Sequence, residues 1–303
     1  MNNRLVYAEC EPAQVRFRAR DGYELGGVLY AASAAEPPAR VALLHAGAGI
    51  RAQSYGPFAA FLAQLGIPTL AYDYRGIGLS RPGALRGFRA SIEDWAQYDC
   101  AAAIAWLGER FPRTPILGIA HSIGTLLMGG AANANEQASV IMIGAHTAYW
   151  GDYRARYRAP MTVLWHGFMP LVTRSLGYFP ARGLGLGQDL PAQIALQWAG
   201  RRSPDLRSAP SGAARERRQR LLDGCAALER AALVVSISDD AFATARGTRR
   251  LLSYYPRLSS VQHVTFTPAD AGTRRLGHFG FFRRAAGAVL WSQLMARVND
   301  WRP

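Results

Sequence analysis

Lysine is absent from this 303-residue chain: all 35 basic residues are arginine, set against 21 carboxylates, for a formal charge of +14. An all-arginine surplus with heavy alanine, glycine and proline usage reads as a bias of the whole sequence rather than a patch built for phosphate. The arginines are scattered, denser only over 201–220 and in the pairs Arg249-Arg250, Arg274-Arg275 and Arg283-Arg284. A nucleic-acid binder carries a basic stripe on a recognisable fold; none is visible, so nucleic acid is not an expected partner. The positive field still acts at long range on acidic partners or an anionic membrane surface. Cysteine is scarce too. Cys10, Cys100 and Cys225 are odd in number, far apart and never in a C-x-x-C pair, which excludes a disulfide framework or a zinc site of known pattern. Reduced, buried thiols are expected. No apolar run approaches the ~20 residues of a membrane span. Met1–Glu11 lacks the basic and apolar regions of a secretory signal. The expectation is a cytoplasmic protein with no integral membrane segment, no metal and no organic cofactor.

What is present is an alternation. Half the residues are hydrophobic, and a chain of this length can bury roughly three quarters of its surface in one large α/β domain. Gln14–Arg20 alternates, Asp21-Gly22 signals a hairpin turn, and Tyr23–Tyr30 continues as the partner strand. Ala31–Arg40 reads as a loop. Val41–His45 is a continuous apolar run, as for a strand buried on both faces. It leads through the small-residue loop Ala46–Gly49 to a helix over Ser54–Leu65 and a strand over Ile67–Tyr72. A glycine-broken loop, Asp73–Ser80, precedes a helix over Ser91–Arg110, stopped by Pro112 and Pro115. Strands follow over 116–120 and Ser139–Ile143, the rhythm of a parallel sheet. From His146 to about Leu228 that rhythm stops, and aromatics, a glycine run and arginines take its place without a clear strand. It resumes with a strand over Ala232–Ser238, a helix over Ala245–Tyr255, a strand over Val261–Thr267 and a final helix over Arg283–Asn299. The division expected is a core of 1–145 and 229–303 with a cap insertion at 146–228.

Ile116–Thr125 runs from a short strand through a serine held between small residues into a helix-compatible run. Ala120-His121-Ser122-Ile123-Gly124 matches G-x-S-x-G with alanine in first place. The turn is so tight that the residues two before and two after the serine are expected to pack on each other, and both are small. In an open parallel sheet, functional groups gather at the carboxyl ends of strands. Ser122, Asp239-Asp240 and His278 each follow a predicted strand, in the chain order Ser…Asp…His found on α/β-hydrolase folds.

The segments DGYELGGVLY, LLHAGAG, YDYRGIGLS, GIAHSIGT, SDDAFAT and LGHFGFF together resemble α/β-hydrolases of the lysophospholipase/monoglyceride-lipase-like (serine aminopeptidase-like) branch, bacterial predicted hydrolases included. The resemblance spans nearly the whole chain outside the insertion. Ala46 and Ala120 depart from it where such enzymes carry glycine; both stay small. It implies a mostly parallel eight-stranded sheet with helices on both faces and a helical cap, with Ser122 as nucleophile. Serine needs a base, and His278, between glycines and ahead of three phenylalanines, is the best of six histidines. His45 is expected to hold the loop after its strand, His121 to point away from the serine, and His146 to line the pocket. His166 and His263 have no context. Only one of Asp239 and Asp240 can face His278. Asp240 is preferred, because resembling enzymes place their acid shortly before the small residues that start the next helix; Asp239 then shapes the turn, and Asp270 is a poorer candidate. The backbone N–H groups of Gly47 and Ile123 are the expected oxyanion hole. Arg75 is read as pinning its loop, and Tyr149 and Trp150 as lining an apolar pocket in the cap. The activity expected is ester hydrolysis of a small acyl substrate through an acyl-enzyme. Amide cleavage or acyl transfer by the same triad stays open, as does a non-catalytic binding protein of the same fold. Oligomeric state is not legible.

Overall fold

The computed structural model describes residues 12–31, 37–201, 203–208 and 211–300; Met1–Glu11 with Cys10, and part of the expected Ala31–Arg40 loop, lie outside them. β1 (Pro12–Arg18) and β2 (Glu24–Tyr30) pair antiparallel about Asp21-Gly22, where Gly22 takes φ +84°. β3 (Val41–His45) is buried at every position and leads to α1 (Gly56–Gln64) and β4 (Thr69–Tyr72). The helix expected over Ser91–Arg110 is three joined pieces: α2 (Ile92–Asp94), a π turn over Trp95–Cys100, and α3 (Ala101–Arg110). Ser91 starts it with a reciprocal cap: its hydroxyl accepts Asp94 N–H, and the Asp94 carboxylate accepts Ser91 N–H.

β5 (Ile116–His121) runs into α4 (Gly124–Leu127), only four residues long, and then β6 (Gln137–Ile143). The span after β6 holds α5 (Ala155–Val163), α6 (Met169–Leu176), the two-residue strands β7 (Tyr178–Phe179) and β8 (Leu190–Pro191), α7 (Ala192–Ala199) and α8 (Ala213–Ala227). β7 and β8 pair with each other alone, a small ribbon where no strand was expected. α8 buries Leu221, Leu222 and Cys225, and the Cys225 thiol donates to Leu126 O of α4. It packs on the sheet side, although its sequence lies within the expected cap. β9 (Ala231–Ile237), α9 (Ala245–Leu252), β10 (Val261–Phe266) and α10 (Arg284–Asp300) complete the chain.

The eight long strands make one sheet in the order β1-β2-β4-β3-β5-β6-β9-β10, antiparallel only where β2 meets β1 and β4. The order reverses beside β3 and β5, so their carboxyl ends open into the crevice where such sheets bind ligands. No helix among the described residues is long and apolar enough to cross a membrane.

Candidate active site

Ser122 follows β5 and has φ +56°, the left-handed region that a residue with a Cβ adopts only under constraint. Its N–H donates to Ile143 O of β6 at 3.0 Å, and its carbonyl accepts Thr125 N–H at 3.1 Å. These two bonds hold the sharp turn. Gly124 has to be small for a reason the sequence did not supply: a Cβ there would run into the backbone oxygens of His45 and Ala46. The crowding comes from the end of β3, not from Ala120.

His278 reaches this turn from the loop after β10. Its Nε2 lies 2.9 Å from Ser122 Oγ, and its Nδ1 lies 2.6 Å from Asp240 Oδ2. The backbone N–H groups of Phe242 and Ala243 donate to the other Asp240 oxygen at 2.8 and 3.0 Å. Burial pushes the Asp240 carboxyl up, but His278 and those two N–H groups outweigh it and hold the carboxyl down at about 2. Asp239 does something else. Its two oxygens accept Leu276 N–H and Gly277 N–H at 3.0 and 2.9 Å, which anchors the loop just before His278. The adjacent aspartates therefore divide the work: one faces the ring, the other the backbone carrying it. Gly144, at φ +59°, leaves room for the pair, since a Cβ would sit 3.2 Å from the His278 ring. Asp270 instead closes a turn with Thr267 on the exterior.

The other histidines sort by partner. His45 is buried between the Tyr72 hydroxyl and Gln137 Oε1, at 2.9 and 3.0 Å, and burial pushes it down to about 4. His121 turns away from Ser122. Its Nε2 meets the His278 carbonyl at 2.9 Å and its Nδ1 meets the Tyr55 hydroxyl at 2.9 Å. A carbonyl can only accept, so Nε2 carries the hydrogen and Nδ1 accepts from tyrosine. The same hydroxyl accepts Gly47 N–H at 2.8 Å. A chain of hydrogen bonds thus joins the Gly47 loop, Tyr55, the residue before Ser122 and the backbone of His278. Burial pushes His121 down to about 3, so the ring stays neutral as this chain requires. Tyr55 stands in no motif, and nothing in the sequence marked it. The arrangement corrects the expectation for Gly47: its N–H is already bonded to tyrosine. Ile123, next after Ser122, caps the start of α4, where N–H groups lack intrahelical partners. His146 lies beside the cavity, with Nε2 at 3.2 Å from Ser122 Oγ. His166 bonds Ala199 O, and His263 is exposed on β10.

Above Ser122, His146 and His278 lies a cavity of about 240 Å³, walled by Ile50, Tyr153, Met161, Trp165, Trp198 and Phe242 among others, with no carboxylate among its lining residues. Tyr149 and Trp150 are not among them: they pack on each other, Tyr149 against Arg250 and Trp150 against His166. Both are half-buried, at the start of a short 3₁₀ segment (Trp150–Asp152) that leads to Tyr153. A larger cavity, about 570 Å³, lies between α7 and α8 without any of these groups. Arg75 pins its loop as expected, bonded to Asp21 and to buried Asp99. Among the described residues no cluster of acidic, histidine or cysteine side chains has metal-binding geometry.

Comparison with known proteins bears on the family and the fold. The family described as serine aminopeptidase, S33, matches residues 35–211, more than half of the chain. No curated protein matches in sequence. An esterase of Pyrococcus furiosus superposes with TM-score 0.60 at 14% identity, covering 97% of this chain and 92% of that one. A soluble variant of the monoglyceride lipase of Saccharomyces cerevisiae does so with TM-score 0.59 at 13% identity, covering 99% and 98%. A carboxyl esterase of Bacillus coagulans gives 0.59 at 12%, covering 96% and 99%. The family match, the eight-stranded sheet and the serine on its strained turn lead to one assignment: the chain belongs to the serine aminopeptidase S33 family of hydrolases, with the α/β-hydrolase fold.

Proposed function

We propose that the protein hydrolyses carboxylic esters through an acyl-enzyme formed on Ser122, with His278 as base and Asp240 as its partner. The observation that carries the reading is the bonded series Ser122–His278–Asp240, at 2.9 and 2.6 Å, under an apolar cavity. His278 Nε2 takes the hydroxyl proton as Oγ bonds to the ester carbon, and returns it to the leaving alcohol. Water repeats the sequence in the second half. Asp240 stays ionised, selects the Nδ1–H tautomer and stabilises the imidazolium. The tetrahedral oxygen is received by Ile123 N–H and, on the facing loop, by the N–H of Ala48, which lines the cavity where Gly47 N–H is tied to Tyr55.

An ester is favoured over a peptide by the cavity wall. An aminopeptidase must hold a protonated amine, and no lining residue supplies a carboxylate for it. The wall is built almost wholly of aliphatic and aromatic side chains, which suits an apolar chain rather than a charged one. The substrate class proposed is a neutral ester with a short to medium apolar acyl chain. The test is a fluorophosphonate probe with peptide mapping, followed by p-nitrophenyl esters of two to twelve acyl carbons and aminoacyl anilides. Labelling of Ser122 in native protein, none in Ser122→Ala, and esters turned over far faster than anilides are expected. Unlabelled native protein, or anilides outrunning esters, would overturn the reading.

A further inference from the structure

Ser122 Oγ has two imidazoles on it. His278 Nε2 is one, at 2.9 Å; His146 Nε2 is the other, at 3.2 Å, and a three-residue triad leaves the second without a task. We propose that His146 is a further catalytic residue, a neutral donor whose Nε2–H holds Ser122 Oγ and stabilises that oxygen as it leaves the acyl-enzyme. The inference rests on the acyl-enzyme reading above.

The direction of the hydrogen bond follows from the other side of the ring. His146 Nδ1 accepts Ala148 N–H at 2.8 Å, so in the neutral imidazole the hydrogen sits on Nε2. A ring in that state cannot take the serine proton, which excludes His146 as a second base. The backbone is shaped to keep it so. Ala148 adopts φ +60°, a region alanine avoids, and this places its N–H on Nδ1. Neighbouring carbonyls are fixed as well: Ala145 O accepts from Thr248 Oγ1 at 2.9 Å and Thr147 O from Arg201 Nη1 at 2.5 Å. The charged and titratable groups facing the ring are His278, Asp240, Arg201 and Tyr153. Burial, then His278 and Arg201, press its basicity down, with Asp240 opposing, and the ring stays neutral across the working range.

The two halves of the reaction use this donor unequally. In the resting enzyme Oγ is a hydroxyl oxygen that gives its hydrogen to His278 and accepts from His146. That bond exists before and during acylation, so it favours ground and transition state alike. In the acyl-enzyme Oγ is an ester oxygen, a poor acceptor. As water's oxygen bonds to the carbon and its proton passes to His278, the C–Oγ bond breaks and Oγ takes the bonding pair. The His146 bond strengthens at that moment, and Oγ then receives its proton back from His278. His146 keeps its own hydrogen throughout.

Two variants separate the two bonds of the ring. His146→Asn keeps an acceptor near the Nδ1 position for Ala148 N–H but no longer reaches Ser122; His146→Gln places an amide N–H near the lost Nε2. The experiment is rapid mixing with a p-nitrophenyl ester, reading the burst as acylation and the steady phase as deacylation, with fluorophosphonate labelling of Ser122 as the check that each variant's site is intact. Expected for His146→Asn is a burst rate within about threefold of the parent and a steady rate lower by about tenfold, equal to about 1.4 kcal/mol. His146→Gln is expected to recover most of it. Equal losses in both phases, or a change confined to KM across acyl lengths, would reduce His146 to a pocket wall and overturn the proposal. If the parent itself gives no burst and no labelling, the acyl-enzyme reading falls instead, a separate result.

Discussion

At the carboxyl ends of β3, β5 and β9 the buried polar groups are joined in continuous chains: Gly47 to Tyr55 to His121 to His278, and Ser122 to His278 to Asp240. The span 147–201 above them is different. Trp150 Nε1, His166 Nε2, Thr173 Oγ1, Trp198 Nε1 and the Nε and Nη2 of Arg201 are buried without partners, while outside that span only Tyr74 and Asn133 carry such atoms among the described residues. The floor is held by directional bonds. The span 147–201 is held by apolar contact and by anchors at its edges, such as Gln197, which accepts Ile92 N–H and donates to Glu93.

That contrast makes the largest effect fall on the floor. Asp240→Asn leaves a hydrogen-bonding side chain but the wrong tautomer on His278, and kcat is expected to fall on the order of 10⁴-fold. Asp239→Asn loosens the loop backbone without touching the ring, and a loss of roughly tenfold is expected. Steady-state kinetics on one aryl ester decide it; a larger loss at Asp239 would reverse the roles.

A cap substitution should alter selection and spare the chemistry. Met161, half-buried in the cavity wall, replaced by tryptophan removes volume, and kcat/KM for esters of eight or more acyl carbons is expected to drop about tenfold, the scale of a few methylenes in an apolar pocket. Two-carbon esters should be hydrolysed as before. A uniform loss at every chain length would mean the cap and the floor are not separable.

A further contrast concerns stability against acid. His45, His121 and His146 are held down at about 4, 3 and 3 by burial, whereas the unfolded chain takes up their protons near the ordinary histidine value of about 6.5. Between those values the unfolded state binds more protons, so stability is complete above about pH 6.5 and declines as the pH falls, by up to about 1.4 kcal/mol per unit for each histidine. Asp240, held at about 2, adds its own loss only below the ordinary carboxylate range. Melting temperatures from pH 7.5 to 4.5 test this, with His45→Gln as a comparison that should show a shallower decline; a flat profile in the parent would contradict it.

Much of this was legible along the chain. The alternation of apolar strands with helical stripes from Val41 to Ile143 marked the sheet, because buried parallel strands are recognised by local composition alone. The turn at Ser122 was legible because its small neighbours are adjacent in sequence. The helix after it was not: α4 stops after four residues, ahead of Gly129-Gly130. Asp239 and Asp240, one residue apart, could be ranked only by resemblance. Their separate tasks depend on where the loop before His278 comes to lie, 38 positions further on. The density of aromatics points to Tyr149 and Trp150 as pocket residues, but composition does not say which face of an irregular segment points inward; Tyr153, Trp165 and Trp198 line the cavity instead.

The order of the elements, the strained serine turn and the set of groups able to react are local properties, determined by side-chain size, backbone freedom and periodicity within short windows of sequence. The contacts that Ser122 makes, the second imidazole beside it and the tyrosine that takes the Gly47 N–H were decided only when distant strand ends met. A hydrogen bond depends on position and angle in space, and residues separated by 156 positions acquire both only through the fold.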